Sequence, residues 1–215
     1  VFNLGHVDGH DAPRRLQKGE TISIVFDLDQ IAYRIFKGHK IRLSISNSYW
    51  PLLWPTPDKS EIEIVEGSIE IPVINGSIEN TRNFLPEKTD EPWKTETLRE
   101  ASNSRKITRD IGSDGSILEI IDDFGLVRDL KHDLEIGSIA REWWSIHPDD
   151  PLSAEGKTHW TEERSRGAWK TRTETYAKKN SDAENFYIYA KLEAYENEIL
   201  FFEKEISETI SRDSH

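Results

Sequence analysis

The sequence predicts an all-β fold, a β-sandwich rather than alternating strands and helices. Three observations carry this. Short segments alternate apolar and polar residues with a period of two. Turn signals built on Gly, Asn and Asp separate them at short spacing. With 7 Trp, 8 Phe and 6 Tyr, the chain can supply a core although 32% of its residues are charged. No fixed-period repeat or low-complexity tract interrupts the pattern.

Residues 1–4 read as the end of a strand, and His6-Val7-Asp8-Gly9-His10-Asp11 as a polar turn. His6, Asp8, His10 and Asp11 have the composition of a metal site. The His-x-x-x-His spacing, however, presents both rings together only on a helix, and Gly9 and Pro13 specify a loop. They are read as hydrogen-bonded loop residues, with no metal and no cofactor. Thr21 to Leu28 is a strand with Ile22, Ile24 and Phe26 on one face. Lys37-Gly38 then turns the chain into His39 to Ser48, where Ile41, Leu43 and Ile45 alternate with Lys40, Arg42 and Ser44. That pattern places Leu43 in the core, so Leu43→Ala is expected to cost roughly 2–5 kcal/mol. Tyr49, Trp50 and Trp54 follow, interleaved with Pro51, Pro55 and Pro57, as a stiff aromatic loop at a strand end.

Residues 60–65 and 68–73 form a hairpin around Glu66-Gly67, with Pro72 confining the second strand to an edge. Asn75-Gly76-Ser77 matches a glycosylation acceptor but reads more simply as a turn. From Ser77 to Asn103 the alternation dissolves, leaving Trp93 to pin an irregular crossover to the body. The second half is hairpin after hairpin. Arg105 to Ile111 pairs with Ser116 to Ile121, and strands follow over Gly125 to His132, Ser138 to Ile146, Glu155 to Arg164 and Ala168 to Ala177. Asn185 to Glu196 and Glu198 to Ile210 close the chain as a hairpin around Asn197. Helix propensity offers an alternative for the last segment, which its β-branched and aromatic content outweighs. The expected organisation is one domain: core strands over 1–76, the crossover over 77–103, and the remaining strands over 104–215.

Several function classes are excluded. A net charge of −12 with scattered basic residues does not suit a nucleic-acid partner. No apolar run reaches the roughly 18 residues of a spanning helix, so no membrane partner is expected. Zero Cys fits a cytoplasmic protein, and zero Met with Val1 first reads as a piece of a longer chain. Gly-x-Ser-x-Gly, the turn that exposes a hydrolase nucleophile, does not occur. His39 is read as a strand-entry residue, and the pairs Asp122-Asp123 and Asp149-Asp150 as solvated turn carboxylates.

The run IAYRI…KGHKIRLSISNSYWPLLWPTP, over 31–57, closely resembles the C-terminal non-catalytic domain of the X-prolyl dipeptidyl-peptidase and cocaine-esterase family of serine hydrolases. Asn3-Leu4, His6, Asp8-Gly9-His10, Pro13, Leu16 and Gly19 extend the resemblance upstream. Ile146 to Ala154 and Leu192 to Tyr195 extend it downstream, whereas Val7 stands where the family leads one to expect Arg. The resemblance implies a jelly-roll sandwich of the galactose-binding-domain-like type. It implies a catalytic triad in the protein's own upstream α/β-hydrolase domain, with no catalytic residue in this chain. The expected role is to pack on that domain, shape access to its pocket and support a homo-oligomer. Tyr49, Trp50 and Trp54 are the candidate interface or pocket wall. A sugar-stacking platform, in a stand-alone carbohydrate-binding module, and a plug for one end of the sandwich are the alternatives for the same loop.

Overall fold

The computed structural model describes residues 2–11, 13–59, 61–74 and 84–212. The glycosylation-like triplet at 75–77 lies outside them. Among the described residues, eight antiparallel strands carry the fold: β1 (Thr95–Arg99), β2 (Ser102–Arg109), β3 (Ser116–Asp129), β4 (Leu134–His147), β5 (Asp150–Arg166), β6 (Trp169–Ser181), β7 (Asn185–Glu196) and β8 (Ile199–Ser211). The all-β class therefore holds. The strands make one sheet in the order β1-β3-β4-β5-β6-β7-β8, with β2 also on β3. From β3 onward each strand pairs with its successor, so every ladder is closed by a short local turn.

The turns explain the pairing. At β7–β8, Asn197 and Glu198 both take positive φ (48° and 64°), the two-residue geometry that matches strand twist. At β5–β6, Gly167 takes φ 59° in a turn of the same length, with Arg166 opposite Trp169. At β2–β3, the Asp110 carboxylate accepts from the Gly112 N–H at 2.8 Å, and the Asp110 N–H donates to the Gly115 carbonyl.

Two segments read separately from the sequence, Ser116 to Ile121 and Gly125 to His132, are one strand interrupted by a bulge. The register shifts between Asp123 and Leu126, where Gly125 takes φ 82°. Only glycine fits there, because an added Cβ would come within 2.6 Å of the Arg99 carbonyl oxygen. Arg99 spans the bulge, reaching Asp123 at 3.1 Å and Glu163 at 3.2 Å. Within the stretch that lost its alternation, Thr95–Arg99 forms β1 against the end of β3. Trp93 beside it is mostly exposed, while the Asp129 carboxylate accepts from the Lys131 N–H at 2.9 Å.

The first half differs from its sequence pattern. Among the described residues, 21–28, 39–48, 61–65 and 68–73 form no strand, and the hairpin at Glu66-Gly67 is not made. The Lys37-Gly38 turn is present, with the His39 N–H on the Phe36 carbonyl at 3.0 Å. Ile41, Leu43 and Ile45 are 57%, 58% and 60% exposed, which corrects their assignment to the core. The physical reason is that alternation records a face, whereas a ladder needs a partner backbone. The second half satisfies its own backbone through consecutive hairpins, and among the described residues the first half adds no strand to its edges. Leu43→Ala is accordingly expected to cost the chain alone less than about 1 kcal/mol by urea unfolding.

The sheet has two chemically distinct faces. Leu118, Trp144, Gly156, Lys179 and Ile188 lie in one row across β3 to β7. Ala140, Ala154, Ala177, Ala190 and Leu192 share that apolar face by alternation, and Ala140 and Ala154 are its buried centre. The opposite face carries Glu174, Arg172 and Lys191 in ion pairs, with His159 hydrogen-bonded to Glu174. A single layer buries little. The described chain exposes 17877 Å², against roughly 10,000 Å² for a compact monomer of this mass.

Candidate functional site

The aromatic loop lies on the apolar face at the β4–β7 end. The Trp50-Pro51 peptide is cis, and the Leu53 N–H donates to the Tyr49 carbonyl at 2.9 Å, so the chain doubles back within five residues. This brings Trp50 and Trp54 edge to face with centroids 5.2 Å apart. Trp50 then meets Trp144 of β4 at 5.9 Å, and Trp54 meets Phe186 of β7 at 6.2 Å. The Trp54 indole N–H donates to Ser181 Oγ at 3.0 Å.

Three residues that the sequence did not single out complete the site. Lys179 places Nζ 4.6 Å from the Trp54 centroid and 4.1 Å from that of Phe186, a cation held over two rings. Burial holds its ammonium below the ordinary lysine range, and neighbouring Arg212 adds to the effect. Arg212, only 2% exposed, acts as a clamp. Its guanidinium donates to the Pro55 carbonyl at 2.8 Å, to Ser181 Oγ at 3.0 Å and to the Asp182 carbonyl at 3.1 Å. The loop, the β6–β7 turn and the chain after β8 are thereby tied together. Gly156 is the third. The Trp144 ring lies across it so closely that an added Cβ would meet Cζ3 at 2.6 Å. Gly156→Ala is therefore expected to displace Trp144 and cost about 1–3 kcal/mol, read by urea unfolding, with a red shift of Trp emission.

The loop thus has two sides. Trp50 and Trp54 face the sheet, while Tyr49, Leu52 and Leu53 stay 55%, 71% and 43% exposed. Sequence reasoning grouped Tyr49 with the two tryptophans; the structure separates it from them. The N-terminal histidines lie elsewhere. His6 and His10 approach with Nδ1 atoms 2.6 Å apart, but Asp8 is taken by Arg14. Arg14 also grips Glu20, and its guanidinium together with the Gln17 N–H holds that carboxyl down to about 2. Among the described residues no three His, Asp or Glu side chains are grouped to hold a metal.

The polar face holds a second cluster. Thr161 Oγ1 and His159 Nε2 each lie 2.7 Å from Glu174 Oε2, and Arg172 binds the other carboxylate oxygen. Burial pushes the Glu174 carboxyl up, but the three donors outweigh it and hold it below the ordinary range. His159 stacks on Tyr176 with centroids 4.3 Å apart. The partners of this histidine are Glu174, Arg141 and the Tyr176 ring, and the cluster reads as a structural network.

Residues 1–96 match the family model of the X-Pro dipeptidyl-peptidase C-terminal non-catalytic domain. The match ends inside β1, so it takes in the aromatic loop and leaves the sheet on which the loop lies outside it. The later stretches that resemble the family, Ile146 to Ala154 and Leu192 to Tyr195, also fall beyond it. No curated protein and no solved structure matches the chain. Among the described residues, no helix is long and apolar enough to cross a membrane.

Proposed function

We propose that this chain is the accessory, non-catalytic part of a cytoplasmic serine hydrolase related to X-Pro dipeptidyl-peptidases and cocaine esterases, and that it packs on an α/β-hydrolase domain beside its substrate entrance. The observation that carries this is the two-sided aromatic loop within the matched region. Trp50, Trp54, Lys179 and Arg212 anchor its inner side, which makes the outer side a rigid apolar knob of Tyr49, Leu52 and Leu53. Preorganised aromatic and aliphatic side chains lose little entropy on docking, which favours an interface. The inward engagement of both indoles favours this reading over a sugar platform.

The surplus exposed area supports the same conclusion. Segments 21–28, 39–48 and 61–73 have a strand's alternation without a partner. They gain one as the second layer of a jelly roll over the apolar face, completed when the hydrolase domain is present. The test is a titration with the catalytic domain of an X-Pro dipeptidyl-peptidase, followed by sedimentation. A one-to-one complex is expected, weakened at least tenfold by the combined change Tyr49→Ala and Leu52→Ala. Absence of a complex, or indifference to the double change, overturns the proposal. So does hydrolysis of an X-Pro amide by this chain alone, if it is abolished by a serine-directed inhibitor.

A further inference from the structure

Tyr176, Tyr187, Tyr189 and Tyr195 share the polar face of β6 and β7, and two of the four rings are covered. His159 stacks on Tyr176 with centroids 4.3 Å apart, and the Arg172 guanidinium lies 4.2 Å from the Tyr195 centroid. Among the described residues, Tyr187 and Tyr189 have no such aromatic or cationic cover, and they stay 39% and 36% exposed. The sheet register places each in a row of three. Asn180, Tyr187 and Thr209 cross β6, β7 and β8 in one row, and Lys178, Tyr189 and Ser207 in the next on the same face. The two rows line an open cleft of about 320 Å³, within the range of small-molecule sites. Its long wall is held in place: the Tyr187 hydroxyl donates to Asp182 Oδ2 at 2.6 Å. The other oxygen of that carboxylate accepts from the Glu184 and Asn185 N–H groups at 2.8 and 2.7 Å.

We propose that this cleft is a binding site for a neutral saccharide, stacked on Tyr187 and Tyr189 and hydrogen-bonded by Asn180, Ser207 and Thr209. Charge selects neither an anion nor a cation. The Lys178 ammonium is taken by Glu155 at 2.7 Å, and the Glu208 carboxylate also lines the cleft. The net charge of −12 opposes a phosphate or an acidic sugar further. A wholly apolar ligand fails for another reason. It would cover the Asn180 amide and the Ser207 and Thr209 hydroxyls, which have no protein partner among the described residues, and strip their water. A sugar ring satisfies both demands, since its C–H face lies on an aromatic ring while its hydroxyls reach outward to amide and hydroxyl groups. The two tyrosines stand about 7 Å apart along β7, which suits two linked sugar units better than one.

The site lies on the face opposite the aromatic loop, so it stands or falls independently of the docking role proposed for that loop. Affinity electrophoresis of the chain through gels containing laminarin, galactomannan, xyloglucan or hydroxyethyl cellulose tests it. Retardation by at least one of these neutral polysaccharides is expected. Tyr187→Ala or Tyr189→Ala should weaken it roughly tenfold, the scale of one lost aromatic contact, and the double change should abolish it. Ser207→Arg fills the cleft from an exposed strand position and leaves both rings in place; it should also abolish retardation, and it decides the matter if the double change unfolds the chain. Tyr49→Ala combined with Leu52→Ala should leave retardation unchanged. No retardation by any of the four polysaccharides overturns the proposal. So does retardation that survives Ser207→Arg, that is lost with the loop variant, or that dextran sulfate produces equally well.

Discussion

Trp54→Ala is expected to lower the unfolding free energy by roughly 2–4 kcal/mol, the cost of deleting a large half-buried aromatic. Trp54 is where the loop's contacts converge: Trp50 at 5.2 Å, Phe186 at 6.2 Å, the Lys179 ammonium at 4.6 Å and Ser181 Oγ at 3.0 Å. Removing the ring exposes Phe186 and leaves the Lys179 cation over one aromatic face instead of two. Trp54→Phe should cost about 1 kcal/mol, since it keeps most of the packing and loses one hydrogen bond. Equal losses for the two variants in urea unfolding would mean that the hydrogen bond, not the ring, holds the loop.

The second large effect lies on the opposite face. Glu174 is 9% exposed and accepts from Thr161, His159 and Arg172. Glu174→Ala leaves the Arg172 guanidinium without that carboxylate in a half-buried setting, at a cost of roughly 2–4 kcal/mol. Glu174→Gln should cost less, because an acceptor remains. The pH dependence follows from the direction of the shift. The folded carboxyl sits below its unfolded value of about 4.3, so its stabilising contribution is complete above that pH. It is lost as the pH falls through the lower, folded value. Unfolding free energies at pH 7 and pH 3 should therefore differ more for the parent chain than for Glu174→Gln. The same difference in both would show that Glu174 contributes nothing to acid sensitivity.

The second half of the fold was legible because its signals are local. Asn197 and Gly167 mark turns whose flanking residues pair directly, and β7 matches its sequence-read limits, Asn185 to Glu196. The long β3 was split in the sequence reading because Phe124-Gly125 interrupts the alternation. Nothing in that local pattern shows that Arg99 would bridge the resulting bulge. In the first half, the alternation at Ile41, Leu43 and Ile45 fixes which side chains share a face, but it carries no information about a partner backbone. The loop was visible as Tyr49, Trp50 and Trp54 because its composition is unusual. Its anchors were not, since Trp144, Lys179, Phe186 and Arg212 lie far along the chain. Only the sheet register brings Trp144 and Lys179 into one row, and only the folded end places Arg212 beside Pro55.

The proposed docking surface is the outer side of the aromatic loop, held rigid by the sheet beneath it. Hydrogen–deuterium exchange of the chain, alone and with the catalytic domain of an X-Pro dipeptidyl-peptidase, tests it most directly. Slowed exchange in the complex is expected at the amides of residues 49, 50 and 52–54, with the polar face around Glu174 unchanged. A complex that leaves those amides exchanging at their free rate, or that protects the polar face instead, would contradict it.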